Sequence, residues 1–216
     1  MLELSLGRDR QRLSVLCLGA HSDDIEIGCA GTLLRWLDEY REVDVTWVVC
    51  SATGERADEA RRSADTLLAG ARSHRIVLGD LEDAFLPADY ARAKSFLRGL
   101  RAQSDPDVVL THRLEDAHQD HRLVAELTWQ TWRDQLILEY EIPKYEGDLG
   151  RPNLFSALPA QTASRKVEHL LGHFGSQRSK DWFNAETFRS LMHLRGLECR
   201  AESGSAEAFH VRKARL

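Results

Sequence analysis

Leu16-Cys17-Leu18-Gly19-Ala20-His21-Ser22-Asp23-Asp24 begins as an apolar run and stops abruptly in an imidazole and two adjacent carboxylates. The following Ile25-Glu26-Ile27-Gly28-Cys29-Ala30-Gly31-Thr32-Leu33 opens a helical pattern with Leu33, Leu34 and Leu37 on one face. His21, Asp23 and Asp24 therefore stand where a strand buried on both faces meets a helix. Adjacent carboxylates repel each other and are tolerated beside a cation or as a helix cap. A divalent ion accounts for all three groups together. The alternative takes them one at a time: Asp24 as the N-cap, Asp23 in a solvated loop, His21 in an ordinary hydrogen bond.

Outward from this turn, apolar runs and helical patterns alternate. Leu13 to Ala20 reads as the first strand, Val43 to Cys50 as the second, Ser73 to Leu78 as the third and Asp107 to Thr111 as the fourth. Helices are expected over Ile25–Tyr40, Asp58–Ala69, Tyr90–Ala102 and Arg122–Trp132. This alternation predicts an α/β fold: a Rossmann-like, doubly wound, mostly parallel sheet with helices on both faces. Such sheets bind ligands at the carboxyl ends of the strands, where the strand order reverses, usually between the first and fourth strands. Gly28 and Gly31 let the first helix pack closely on the sheet. The first turn lacks the glycine fingerprint of a dinucleotide site, and its two carboxylates would repel a pyrophosphate.

The fourth strand runs into His112-Arg113-Leu114-Glu115-Asp116-Ala117-His118-Gln119-Asp120-His121, where three of the chain's nine histidines and three acids share ten residues. The plain alternative is a solvated polar loop. Beyond it the pattern is less regular: a short strand over Leu136–Glu141, a loop over Ile142–Leu154, helices over Ser164–Leu171 and Ala185–Leu194, and a last strand over Ala208–Val211. The whole chain, 1–216, reads as one domain, with the part from about 140 expected to cap the site.

At 216 residues, 43% hydrophobic and 29% charged, the chain is long enough for one large α/β core. The formal net charge of -5 and the lack of a basic tract argue against nucleic acid as a partner. No apolar run approaches the roughly 18 residues of a membrane span. Met1–Gln11 is polar, without the apolar centre of a signal peptide, which points to a cytoplasmic protein. Cys17, Cys29, Cys50 and Cys199 form no Cys-x-x-Cys pair and are expected as reduced thiols.

Together, His21-Ser22-Asp23-Asp24 with Gly28 and Gly31-Thr32-Leu33, Thr53-Gly54-Glu55-Arg56, and Asp116 with His118-Gln119-Asp120-His121 resemble the PIG-L (LmbE-like) family of zinc-dependent N-deacetylases. Later stretches, among them Tyr140-Glu141-Ile142-Pro143-Lys144-Tyr145, resemble a bacterial branch of it. Ser22 departs from the proline usual at that position of the first motif.

The resemblance implies His21, Asp24 and His121 as ligands of zinc, with iron(II) or another divalent ion also suited to this donor set. It implies Asp23 as the general base and His118 as the residue that stabilises the oxyanion or protonates the amine, or else as a fourth ligand. Asp120 is expected to orient His118 or to cap a helix. Asp116 and His112 are expected to brace the ligands or serve the fold. Glu55 and Arg56 are expected at the substrate, with an Arg56–Glu59 surface pair as the alternative for the latter. Asp148, Asn153, Gln177, Trp182 and Phe183 are weaker substrate candidates.

The implied reaction is hydrolysis of the acetamide of an N-acetylglucosamine-type sugar or conjugate, a small-molecule substrate. A second reading keeps the ion and changes the amide, to that of a thiol conjugate or antibiotic. A third is a nucleotide-binding module without catalysis. The oligomeric state is left open, a homo-oligomer included.

Overall fold

The computed structural model describes Leu6 and residues 11–215. The reading of Met1–Gln11 thus falls outside the described residues except at Leu6 and Gln11. The elements run β1 (Arg12–Gly19), α1 (Asp24–Glu39), β2 (Glu42–Val49), α2 (Gly54–Leu67), β3 (Ser73–Leu78), a 3-10 turn Leu86–Asp89, α3 (Tyr90–Arg101), β4 (Val108–Thr111), α4 (Gln119–Thr131), β5 (Leu136–Tyr140), β6 (Leu154–Ala157), α5 (Ala160–His173), a 3-10 turn Gly175–Gln177, α6 (Ala185–Cys199) and β7 (Ala206–His210).

Seven strands form one sheet in the order β3-β2-β1-β4-β5-β7-β6. The first five are mutually parallel, and β7 runs antiparallel to both β5 and β6. β1 lies between β2 and β4, so the strand order reverses at β1/β4, as the doubly wound pattern requires. The apolar run of β1 serves two cores at once. Leu13, Val15 and Cys17 join Ile25, Leu33, Ala60, Leu67, Val167 and Leu170 beneath α1, α2 and α5. Leu16, Leu18 and Ala20 join Ala93, Leu97, Leu123, Val124 and Leu127 beneath α3 and α4. A side chain of this size stabilises by about 1.5–3 kcal/mol when buried, so a strand apolar on both faces belongs in the middle of the sheet.

Several boundaries differ from the sequence reading. α2 begins at Gly54 and α4 at Gln119, while α5 and α6 both run longer than their apolar stripes. β6 lies at the end of a stretch that reads as a loop; its four residues are too few to show a period. Residues 142–153 between β5 and β6 are irregular apart from a turn. All four cysteines are free, three of them buried. Among the described residues no helix is long and apolar enough to cross a membrane.

α1 carries the first motif at its N-terminus and is held along its flank by charge. Glu207 on β7 accepts the N–H groups of Gly31 (2.8 Å) and Thr32 (2.6 Å) and the Thr32 hydroxyl (2.6 Å). Lys166 of α5 pairs with Glu207 at 2.6 Å and also donates to the Ile27 carbonyl. A Cβ at residue 31 would collide with Leu158 and the Glu207 carboxylate, and one at residue 28 with the Tyr140 ring. These two glycines set the close approach of helix to sheet.

Two outcomes follow for stability. Glu207→Ala strands a buried ammonium, and urea unfolding should show a loss of about 3–5 kcal/mol. His169 on α5 lies 2.8 Å from the Ser63 hydroxyl, and burial, aided by His173 and Arg165, pushes its pKa down to about 4. The fold therefore favours the neutral ring over the protonated one. Its contribution is complete above the ordinary value near 6.5 and is lost as pH falls towards 4. The wild type should weaken across that window, and His169→Asn should show a shallower loss.

Candidate active site

The carboxyl ends of β1 and β4 bring the two motifs together. After Gly19 the chain turns tightly: Asp24 Oδ2 accepts the His21 N–H at 2.6 Å. Asp23 occupies the N-cap position of α1 but makes no capping hydrogen bond, and Asp24 is already inside the helix. The capping alternative for Asp24 thus does not hold, and neither carboxylate is spent on the helix end. Both are buried. Ser22 is buried as well, and its hydroxyl finds no partner, so it adds no hydrogen bond where proline is usual.

His121 sits in the first turn of α4, and its Nε2 lies 3.2 Å from His21 Nδ1 and 3.5 Å from Asp24 Oδ1. His21 Nδ1 lies 3.4 Å from Asp24 Oδ2. Donors of a tetrahedral zinc ion at about 2.0–2.1 Å are separated from one another by about 3.3 Å. The two ring nitrogens lie at such a spacing from each other, and each lies at it from one oxygen of Asp24, His21 from Oδ2 and His121 from Oδ1.

The rings are turned by carboxylates behind them. Asp120, fully buried, lies 3.2 Å from His21 Nε2 and accepts the N–H groups of Ala84 (2.7 Å) and Leu86 (3.2 Å). Asp116 Oδ2 lies 3.1 Å from His121 Nδ1. Each carboxylate favours the proton on the nitrogen it faces, which leaves the other nitrogen's lone pair for the centre.

Asp120 therefore serves His21, not the His118 ring as expected, because it follows His118 by two residues and projects elsewhere. Its link to His118 is a main-chain one: the Asp120 N–H donates to His118 Nδ1 at 3.2 Å, making His118 the N-cap of α4. Nδ1 being an acceptor, neutral His118 carries its proton on Nε2. Its ring lies 4.5 Å from that of His121.

The charge balance favours a cation. Burial opposes ionisation of Asp24, yet His121, His112 and His21 outweigh it and hold its pKa well below the usual carboxylate value. Burial works against a charged His21, but Asp24, Asp120 and Asp83 together push its pKa well above the usual value. Burial, with His112 beside it, moves His121 the other way, down to about 4. Asp23 is raised by burial and by Asp24, with Arg56 and His21 opposing.

Arg56 reaches Asp23 Oδ1 and Asp83 Oδ2, both at 3.1 Å. The alternative pair with Glu59 does not form, since Glu59 accepts the Ser176 amide and hydroxyl instead. Glu55 is exposed on the first turn of α2. Asp148 pairs with Lys144, Asn153 with the main chain of Val211, and Gln177 Nε2 with the Ser176 hydroxyl. Phe183 packs against Phe174 and Phe188 in the core, with Trp182 against its edge.

Two residues stand closer to the centre than the sequence suggests. His112 is fully buried, with Nε2 2.9 Å from the Ala20 N–H and 3.1 Å from Asp24 Oδ2. Asp83 Oδ1 lies 3.0 Å from His21 Nε2, and its pKa is lowered to about 2, chiefly by that imidazole. The one hint of Asp83 was its place in an acidic loop at the carboxyl end of a parallel strand. Ala84 beside it adopts a left-handed φ of 67°, held by its bond to Asp120. Among the described residues, the donor groups compact enough to share one ion are His21/His118/His121, Asp24/His112/His121 and His21/Asp83/Asp120, so His21, Asp24 and His121 each belong to at least one, but not all three to the same one. Each includes His21 or His121, and the third gathers at His21 Nε2, across the ring from the nitrogen that faces His121 and Asp24.

The chain is similar in sequence or fold to several known proteins. The chain is 26% identical over 177 residues to the uncharacterized deacetylase YaiS of Escherichia coli K12, spanning 78% of this chain and 94% of that protein. The N,N'-diacetylchitobiose deacetylase of Pyrococcus horikoshii has a similar fold, with a TM-score of 0.66, 18% identity and coverage of 92% and 83% of the two chains. So does GalB, the 4-carboxy-2-hydroxymuconate hydratase of Pseudomonas putida KT2440, with a TM-score of 0.71, 17% identity and coverage of 94% and 98%. At these identities the structural likeness is one of fold, and the fold serves more than one reaction. A family model described as PIG-L, GlcNAc-PI de-N-acetylase, matches residues 16–132, more than half of the chain, from within β1 to just past α4. Both motifs lie inside that match, and the chain belongs to the PIG-L family of de-N-acetylases.

Proposed function

We propose that the protein is a metal-dependent hydrolase that removes the acetyl group from an N-acetylated amino sugar or its conjugate. One observation carries the reading: His21 Nδ1, His121 Nε2 and the Asp24 carboxylate approach one another at 3.2–3.5 Å, next in the chain to Asp23, whose carboxylate is held by Arg56. Membership of a de-N-acetylase family supports the reaction, and the likeness to a chitobiose deacetylase supports an amino sugar as substrate. The acidic β1–α1 turn speaks against a nucleotide-binding module, because buried Asp23 and Asp24 would face the pyrophosphate.

His21, Asp24 and His121 would hold the ion, with zinc and iron(II) both suited to two imidazoles and a carboxylate. A divalent ion bound there polarises an amide carbonyl and lowers the pKa of water to around 7. Asp23 takes the proton from the attacking water, and its raised pKa makes it the stronger base. Arg56 holds that carboxylate in place through Oδ1, leaving Oδ2 for the proton. His118 donates from Nε2 to the carbonyl oxygen as negative charge grows there. The carbon–nitrogen bond then breaks, and the amine leaves with a proton returned by Asp23 or His118. Arg56, which reaches Asp23, and its exposed neighbour Glu55 are proposed to meet the sugar hydroxyls. The setting proposed is cytoplasmic, and the partner is the small-molecule substrate.

The test is release of free amine from N-acetylglucosamine conjugates by zinc- or iron-loaded protein. Asp23→Asn should keep its metal, measured by mass spectrometry, and lose turnover by about 10²–10⁴-fold. His118→Ala should lose about 10²–10³-fold, also with metal retained. Asp24→Asn and His121→Ala should lose the metal itself. Full turnover in Asp23→Asn would remove the proposed base.

A further inference from the structure

We propose that Lys144 is a positioning residue for His121, acting through Asp116. The inference rests on the reading of His121 as a metal ligand. Lys144 belongs to the irregular segment after β5, which bends back over the loop between β4 and α4. Its ammonium is nearly buried and fully subscribed: 3.0 Å to Asp116 Oδ2, 2.9 and 3.0 Å to the two oxygens of Asp148, and 3.0 Å to the Ile142 carbonyl. Asp148 in turn accepts the Ala117 N–H at 2.6 Å, and its carbonyl accepts from Arg113 at 2.6 Å. The segment is therefore strapped to both sides of Asp116.

The decisive feature is that one oxygen does two jobs. Asp116 Oδ2, which takes the Lys144 ammonium, is the atom 3.1 Å from His121 Nδ1. The other oxygen, Oδ1, accepts the His118 N–H at 2.8 Å. Lys144 thereby sets the rotation of the Asp116 carboxylate. The charge of that carboxylate, 3.1 Å from Nδ1 though not aligned on it as a hydrogen bond, favours the His121 proton on Nδ1 and leaves the Nε2 lone pair toward His21 and Asp24. Without the ammonium, Oδ2 is free to swing off the imidazole. The ring then loses its preference for the tautomer that can bind an ion. A carboxylate bracing a metal-bound imidazole is worth about 10–100-fold in metal affinity. Lys144 lies a further step out, in a segment remote in sequence from both motifs.

Cobalt(II) serves as the probe, because its visible absorption reports both affinity and ligand geometry. Titration of metal-free K144M should show affinity about 10–100-fold below wild type and an altered cobalt spectrum. K144R, which keeps charge and donors, should recover part of the loss. D148N, which loosens the strap but leaves Lys144 on Asp116, should stay near wild type in affinity. If K144M does not fold, D116N stands in and should show the same weakening. A folded K144M with wild-type affinity and spectrum overturns the proposal, as does D148N losing as much as K144M. Failure of the wild type to bind cobalt would instead strike at the metal reading itself.

Discussion

A single buried negative charge organises this molecule. Asp24 lies inside the first turn of α1, out of contact with water, and accepts the main-chain N–H of His21. Three imidazoles, His21, His112 and His121, surround it from two segments about 100 residues apart. Such a charge is costly to bury unless it is paired. Behind the rings that face it stand further carboxylates, Asp120 and Asp83 at His21 and Asp116 at His121, while His112 Nδ1 has no partner. The carboxylates outnumber the imidazoles they face, and a divalent cation is the simplest way to complete the balance.

The fold supports this by holding both ends of the constellation stiffly. β1 and β4 are neighbours at the point where the strand order reverses, so the turns that follow them open on the same crevice. α1 cannot slide along the sheet. Gly28 seats it on Tyr140, and Gly31 admits the Glu207 carboxylate to its flank, with Lys166 neutralising the pair. On the opposite side, the second motif is clasped by Lys144 and Asp148. The antiparallel addition of β6 and β7 therefore does more than widen the sheet. It brings Glu207 to α1, and the connection leading to it brings Lys144 to Asp116.

Much of the architecture is legible in the residues. Period and burial are coupled, so an unbroken apolar run announces a central strand and an amphipathic run a helix on its face. The pairing of His-x-Asp-Asp with His-x-x-His is equally plain, since the chemistry of the types is unusual even before their geometry is known. Other features leave no such trace. α4 starts three residues earlier than its apolar stripe because its cap is an imidazole nitrogen of His118, outside the usual set of capping side chains. β6 is too short to show a period, and it is recognised only by its pairing with β7. Asp83 belongs to no motif, and the second cluster contains His112 without singling it out; their importance comes from partners 62 and 88 residues away in the chain, His21 and Asp24.

The sequence by itself determined the order of strands and helices, the parallel character of the central sheet and the two turns that carry the chemistry. These depend on local periodicity and on side-chain type, which a linear string contains. Tertiary structure alone decided which nitrogen of each histidine faces the centre. It also decided that Asp120 braces His21 instead of His118, and that Arg56 binds Asp23 instead of Glu59. Those choices turn on ångström distances between groups from separate elements, and such distances exist only after the sheet has closed and its helices have packed.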